Sequence, residues 1–265
     1  MVNKLWEAIN FVKTEKPLIH CITNPISING CANTILAVGA KPIMAEHPKE
    51  VREITASADS LMLNLGNITY ARTKSIMRSA KIANKKNIPV LLDVVGIACS
   101  KFRRKYAECL LHKCTPSVIK GNYSEILALY DKTYFSRGVD AEPLTDTDRI
   151  TKVATSLAQK HKTVIVATGK VDIITDGNCV YHIKNGTPAL ASVTGTGCML
   201  GSLCATFMTA TSPLLSAISA CCYFGICGEL AETEKGTGSF MVHLTDKLST
   251  LQKNEIEKHI KMEEI

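Results

Sequence analysis

Short apolar runs of strand length recur along this chain, and a stretch with helical spacing separates each from the next. The runs are PLIHCI (17–22), KPIMA (41–45), SLMLNLG (60–66), IPVLLDVVG (88–96), SVIKGN (117–122) and TVIVATG (163–169). They are rich in Val, Ile and Leu on consecutive positions, as strands buried on both faces must be. Between them, helices are predicted near 26–38, 48–58, 70–86, 101–113, 123–130 and 146–161. A β-α-β-α order requires right-handed crossovers, so it predicts an α/β fold: three layers, α/β/α, around a mostly parallel central sheet. In VDIITDGNCVYHI (171–183) two β-rich runs meet at Asp176-Gly177, which predicts an antiparallel hairpin at the sheet edge. Helices are then expected over 196–210, 213–232 and 240–252, and the tail KNEIEKHIKMEEI has helical spacing with a tendency to fray. Neither a repeat nor a Pro/Gly-rich linker interrupts the pattern, so a single domain over 1–265 is expected.

Composition narrows the function classes. Hydrophobic residues are 46% and charged residues 21%, ordinary for a chain that buries a large core. The formal net charge of +7 invites an acidic partner, but the one dense basic cluster, KFRRK (101–105), opens a predicted helix and reads as its solvated face. With aromatics at 5% and no basic interleaving, no nucleic-acid partner is expected. The first residues, MVNKLWEAINFVKTEKP, form an amphipathic helix with Leu5, Ile9 and Val12 on one side, without a signal peptide's apolar region. The apolar stretches around 196–231 are broken by Thr, Ser and Pro, so buried helices are expected and no membrane partner. The eleven cysteines include no C-x-x-C pair, which disfavours a zinc cage and a secreted disulfide framework. Buried thiols in a reducing cytoplasm are expected, with Cys204, Cys221, Cys222 and Cys227 filling the core.

In open parallel sheets ligands bind beyond the carboxyl ends of the strands. The residues found there are Asn24, Met44, Asn64-Leu65-Gly66-Asn67, Asp93, then Lys120, Asn122 and Glu125, and finally Thr168 and Gly169. Two carboxylates, a lysine and several amides, with no histidine placed to activate a nucleophile, favour phosphate and metal chemistry over acyl transfer. Asp93 and Glu125 suit Mg²⁺, which takes oxygen ligands from carboxylates, phosphates and water. The competing reading makes Asp93 a helix cap and Glu125 a solvated first-turn residue. In SVTGTGCMLGSL (192–203), Gly195 and Gly197 allow a tight turn whose N–H groups converge at the start of an apolar helix, where an anion is favoured. Neither G-x-x-x-x-G-K-[ST] nor G-x-G-x-x-G occurs in the chain. Cys198 stands where the helix dipole and a nearby cation would lower its pKa, giving a reactive thiolate; a buried inert cysteine is the alternative.

Taken in order, HCITNPISINGCANTILAVGAKPIMAE, LNLGNIT, LLDVVG, IKGNYSEI, VATGKVDIITDG, VTGTGCMLGSL and GTGSFMVHLTDKL resemble the hydroxyethylthiazole kinases, thiazole-salvage enzymes of thiamin biosynthesis with a ribokinase-like fold. The resemblance spans roughly Leu18 to Leu251. It implies transfer of the ATP γ-phosphoryl group to the primary alcohol of the thiazole, with Mg²⁺. Met44 would contact the thiazole through its backbone, with Asn24, Ile26 and Gly66 nearby. Lys120, Thr168 and Gly197 would hold ATP, and Gly195 would lie where substrate and phosphate meet. Asp93 and Glu125 would organise Mg²⁺ and phosphates. It also implies a homotrimer with the thiazole site at the subunit interface. Most ribokinase-like enzymes have an aspartate base where this chain, like the thiazole kinases, has Cys198; it is expected to orient the substrate hydroxyl, with acceptance of its proton left open, and to form no covalent intermediate. Two positions depart from the family pattern. Lys120 stands in place of an arginine, giving a point charge without a bidentate fork, and Val94 stands in place of a proline, which is expected to relax the backbone after Asp93.

The rival readings are another ribokinase-like kinase acting on a pyrimidine or pyridoxal alcohol, a nucleotide-repair dehydratase of similar fold, and a non-catalytic sensor of thiazole or nucleotide. A thiol-redox or acyl-transfer enzyme is least favoured. His20 and His47 read as structural.

Overall fold

Along the strands, consecutive side chains enter two different apolar clusters, and this alternation sets the layers. Cys21, Met62, Leu91, Val118 and Val166 face one cluster, while their chain neighbours Ile22, Leu63, Leu92, Ile119 and Ile165 face the other. A computed structural model describes residues 1–136 and 146–265. Helix α1 (Val2–Glu15) leads into β1 (Leu18–Ile22), α2 (Ile28–Ala37), β2 (Lys41–Ile43), α3 (Val51–Ser57), β3 (Ser60–Asn64), α4 (Tyr70–Lys86) and β4 (Val90–Asp93). The chain continues through α5 (Lys101–Lys113), β5 (Val118–Asn122), α6 (Tyr123–Tyr130), α7 (Thr147–His161), β6 (Val164–Thr168), β7 (Asp172–Thr175) and β8 (Val180–Ile183). A 3₁₀ turn (Pro188–Ser192) then precedes α8 (Thr196–Phe207), α9 (Pro213–Leu230), α10 (Thr237–Thr250), α11 (Lys253–His259) and β9 (Met262–Glu264).

The sheet order is β2-β1-β3-β4-β5-β6-β7-β8-β9; pairing is parallel from β2 to β6 and antiparallel from β6 to β9. Helices α1, α2 and α8 to α11 cover one face, and α3 to α7 the other. Helix α9 is long and apolar enough to cross a membrane, yet it lies within the first layer and is buried along most of its length. Cys204, Cys221, Cys222 and Cys227 fill that cluster as thiols.

Three expectations change. The hairpin of β7 and β8 is not the sheet edge, because the tail does not continue as a helix: after α11 it turns and pairs β9 with β8. Asn185 fixes the turn, accepting from the Lys261 N–H at 2.8 Å and donating to the His259 carbonyl at 2.8 Å. The basic cluster is not wholly solvated, since Arg104 is buried and donates to the carbonyls of Ile97, Lys132 and Tyr134. Met44 lies beyond the end of β2, which stops at Ile43.

The close approach of α9 to Asn185 requires glycine at position 225, where a Cβ would stand 2.7 Å from both the carbonyl carbon and the Cβ of Asn185. Gly225→Ala is expected to cost about 1–3 kcal/mol through overpacking, read as a lower urea midpoint. Since the contact atoms include backbone, an unchanged midpoint would show that the turn holding β9 moves freely.

Candidate active site

Strand register assembles the first three groups. Asn64 pairs with Asp93 across β3 and β4, and Asp93 with Lys120 across β4 and β5, so the three form a row across the sheet at the carboxyl ends of β3 and β4. Lys120 Nζ donates to Asp93 Oδ2 at 3.0 Å, and both residues are buried. Burial opposes the lysine charge, but Asp93 outweighs it, with Glu125 adding to the effect, and the Lys120 pKa is held above the ordinary lysine value. Burial also pushes the Asp93 carboxyl upward, against the pull of Lys120. Asp93 is therefore an ion-paired strand-end residue rather than a helix cap. Val94 is fully buried, and its N–H donates to the Lys120 carbonyl at 2.9 Å, a hydrogen bond that a proline there cannot make.

Helix α8 starts over this row. Its N-cap is Gly195 at φ +89°, in the left-handed region, and no side chain caps the helix. Met199 donates back to the Gly195 carbonyl, while the earlier amides of Thr196, Gly197 and Cys198 have no acceptor within the helix. Donors and dipole together make this end attractive to an anion. Glycines permit the approach: a Cβ on Gly197 would lie 3.7 Å from Lys120 Nζ, and one on Gly201 would meet Met62 at 2.8 Å and Asp93 Oδ2 at 3.5 Å.

The thiol of Cys198 sits at the first turn with only 8% exposure. Asn64 Nδ2 donates to its sulfur at 3.2 Å and Asn24 Nδ2 at 3.4 Å. Burial and the Asp93 charge push its pKa up, and Lys120, Ser27 and Asn24 only partly oppose them. The expected lowering by dipole and cation is thus overturned, and Cys198 is a thiol at neutral pH. Gly66 lies beside both amides; a Cβ there would fall 2.8 Å from Asn64 Oδ1 and 2.9 Å from Asn24 Nδ2.

Glu125 is buried, not solvated. Its Oε1 accepts from the Gly96 N–H at 2.7 Å and its Oε2 from the Asn122 N–H at 2.8 Å, the latter as half of a capping box with Asn122 at the start of α6. Burial, then the charge of Asp93, raises its pKa to about 7 despite these donors. Mg²⁺ fits here in part: Asp93 Oδ1 is buried without a hydrogen-bond partner, and both carboxylates are hard oxygen donors. Among the described residues no group of three or more His, Cys, Asp or Glu is arranged around a metal, so phosphate and water would complete the shell. Thr168, half-buried at the end of β6, donates to the Gly121 carbonyl at 3.4 Å. The turn after it is held by Asp172, which accepts from Gly169 at 3.0 Å, and by Tyr123, whose hydroxyl donates to the Val171 carbonyl.

Asn24, Gly66, Asp93, Lys120, Glu125, Gly195, Gly197 and Cys198 thus gather around the start of α8, with Thr168 one strand further on. Ile26 does not join them; it is 67% exposed on the turn before α2. Met44 is half-buried in the loop after β2, packed against the first apolar cluster. His20 is structural, bonded to Thr55 Oγ1 and the Ala45 carbonyl. Sequence reading passed over Asn64 as an individual residue, although it ends β3 as Asp93 ends β4. It also passed over Ser27, whose Cβ lies 3.4 Å from where a Cβ on Gly195 would be.

The profile of the hydroxyethylthiazole kinase family matches residues 9–254. Hydroxyethylthiazole kinase 2 of Clostridium botulinum (strain Hall) is 47% identical over 259 residues, covering 95% of this chain and 97% of that protein. Hydroxyethylthiazole kinase 1 of Methanosphaera stadtmanae is 37% identical, covering 94% and 93%. Among solved structures, the hydroxyethylthiazole kinase protein from Pyrococcus horikoshii OT3 superposes with a TM-score of 0.91 at 34% identity, covering 99% of each chain. The pyridoxal kinase from Staphylococcus aureus shares the fold at a TM-score of 0.67 and 13% identity, over 94% of this chain and 98% of that one.

The raised pKa of Glu125 has a definite sign in stability. Between the ordinary value of 4.5 and about 7 the folded chain binds more protons than the unfolded one, so this contribution is lost as pH rises through that window. Urea midpoints of the unliganded protein measured across the window should fall with pH, and Glu125→Gln should flatten the slope. An equal slope in both proteins would mean that Glu125 is already ionised at the low end.

Proposed function

The chain belongs to the hydroxyethylthiazole kinase family, and from this membership we propose that it transfers the γ-phosphoryl group of ATP to the primary alcohol of 4-methyl-5-(2-hydroxyethyl)thiazole, a step of thiamin salvage. The observation that carries the reading is the uncapped start of α8, set over the buried Lys120–Asp93 pair with Cys198 between them. The alcohol oxygen bonds to the γ-phosphorus, the bond to the bridging oxygen breaks, and its electrons leave with ADP as the alcohol proton is released.

In a loose transition state, charge spreads over the phosphoryl oxygens, and positioned donors do most of the catalysis. The free amides of α8 and the Lys120 ammonium are such donors. Lys120, Thr168 and Gly197 hold ATP, and Gly195 lies where phosphate and alcohol meet. Asn24, Gly66 and the Met44 backbone receive the thiazole, and Ile26, which stands apart from them on the turn before α2, meets it from the exposed side. Asp93 and Glu125 would hold Mg²⁺, which when bound neutralises phosphate charge; the unpartnered Asp93 Oδ1 supports this. Cys198, protonated at neutral pH, orients the alcohol and forms no bond to phosphorus.

The chain acts as a single kinase domain, a reading supported by one continuous sheet whose strand ends, following loops and packed helices α6 and α8 together carry the site. We place the thiazole at the interface of a homotrimer. Ile26 at 67% and Leu36 at 55% exposure, both near the β2 edge of the sheet, leave apolar surface for a neighbouring subunit. Eleven unpaired cysteines accord with a reducing cytoplasm.

A coupled ADP-release assay with Mg²⁺-ATP should show turnover of the thiazole alcohol and far less of hydroxymethylpyrimidine or pyridoxal. Thiazole binding without turnover would instead mark a sensor. Cys198→Asp should retain turnover within about tenfold; a loss beyond about a hundredfold, the scale of a missing proton-transfer group, would overturn the orienting role. Light scattering of the purified protein should give three chains per particle, and a monomer would remove the interface from the thiazole site.

A further inference from the structure

Two backbone amides fix the orientation of the carboxamides beside the thiol. The Gly66 N–H can only donate, so the Asn64 atom facing it at 2.8 Å is Oδ1, and Nδ2 must face Cys198 Sγ. The Ser27 N–H likewise takes Asn24 Oδ1 at 3.1 Å, turning Asn24 Nδ2 to both Asn64 Oδ1 and the sulfur at 3.4 Å. Asn64 is fully buried and ends β3 next to Asp93, so strand pairing anchors its backbone. One side chain therefore ties the substrate turn at Gly66 to the residue at the mouth of α8. A sulfur that accepts two N–H bonds also directs its own proton away from both amides.

We propose that Asn64 is a positioning residue for the transfer step: in relay with Asn24 it sets the Cys198 sulfur relative to the Gly66 turn, and so fixes where the substrate alcohol meets the thiol. This rests on the kinase reading above. A small displacement of a reacting group lowers turnover without weakening binding of a distant partner, so the effect should divide between the kinetic parameters. Asn64 should act through Cys198, so its contribution should vanish when the thiol is absent.

The test is a double-mutant cycle assayed with Mg²⁺-ATP and the thiazole alcohol, with folding followed by circular dichroism. Asn64→Ala should lower kcat about ten- to a hundredfold and leave the KM for ATP unchanged. In a Cys198→Ala background the same change should alter kcat by less than about twofold. Multiplicative losses, or a kcat for Asn64→Ala close to that of the unaltered protein, would overturn the proposal. A second measurement leaves Asn64 in place, so it decides even if the alanine variant does not fold. The side-chain NH₂ signals of Asn64 in ¹⁵N-labelled protein should move when Cys198 is replaced by alanine, and unmoved signals would show that sulfur is not their partner. Should the unaltered protein not phosphorylate the thiazole alcohol, the kinase reading fails, while the NH₂ signals still decide whether Asn64 holds the thiol.

Discussion

The Lys120–Asp93 pair beneath α8 is the interaction on which the rest of the site depends. Both side chains are out of water, so neither is stable there alone; removing one partner of such a pair typically costs about 3–5 kcal/mol. Lys120 keeps its proton because Asp93 lies against it and Glu125 nearby, although burial opposes its charge. The same cation is the only positive side chain in the row of strand ends formed with Asn64 and Asp93. Asp93 Oδ2 takes one of the three ammonium donors, so the others join the helix amides as donors for phosphate. The Val94 N–H strengthens this arrangement by extending the β4–β5 pairing one residue past Asp93, at the point where the chain gives up a proline's rigidity.

The fold was largely legible because its signals are local. The consecutive apolar runs had to be strands buried on both faces, and the clusters on either side of the sheet bear this out. The bounds of α4, α5 and α6 were read correctly, since each has a side-chain cap at its start: Thr69, Ser100 and Asn122. Strand β9 was not legible, because nothing in KNEIEKHIKMEEI encodes its partner; β8 and the side chain of Asn185 decide its conformation, and both are distant in sequence.

The site was legible in its membership and not in its electrostatics. Residues beyond strand ends are countable from sequence, which is how Asn24, Asp93, Lys120 and Glu125 were found. Burial is a tertiary property, and it reversed one inference and removed a competing reading of another residue. A helix start and a nearby lysine suggest a thiolate at position 198, yet desolvation and Asp93 win and keep the thiol protonated. For Glu125 the sequence left a competing solvated first-turn reading, which burial removes, because the chain folds Gly96 and Asn122 over both its oxygens. Asn64 was counted among the strand-end residues but given no role of its own, because an amide there carries no distinctive pattern; only the backbone N–H of Gly66 shows which of its atoms does what.

The same electrostatics bear on why a thiol is suited to this position. Burial pushes Asp93 upward, Glu125 to about 7 and Asp172 to about 6, so acidic groups around Lys120 already outnumber the cation they share. A further carboxylate at the start of α8 would be served by the Asn24 and Asn64 donors but would stand beside Asp93, where like charge raises both pKa values. A thiol avoids that repulsion by staying neutral, and it still offers the substrate alcohol a fixed partner. What it gives up is basicity, which matters little when the new bond to phosphorus is weak at the transition state and charge resides on oxygens facing the helix amides. Neutrality at position 198 also leaves the field of Lys120 less compensated, and therefore stronger where the phosphoryl group must sit.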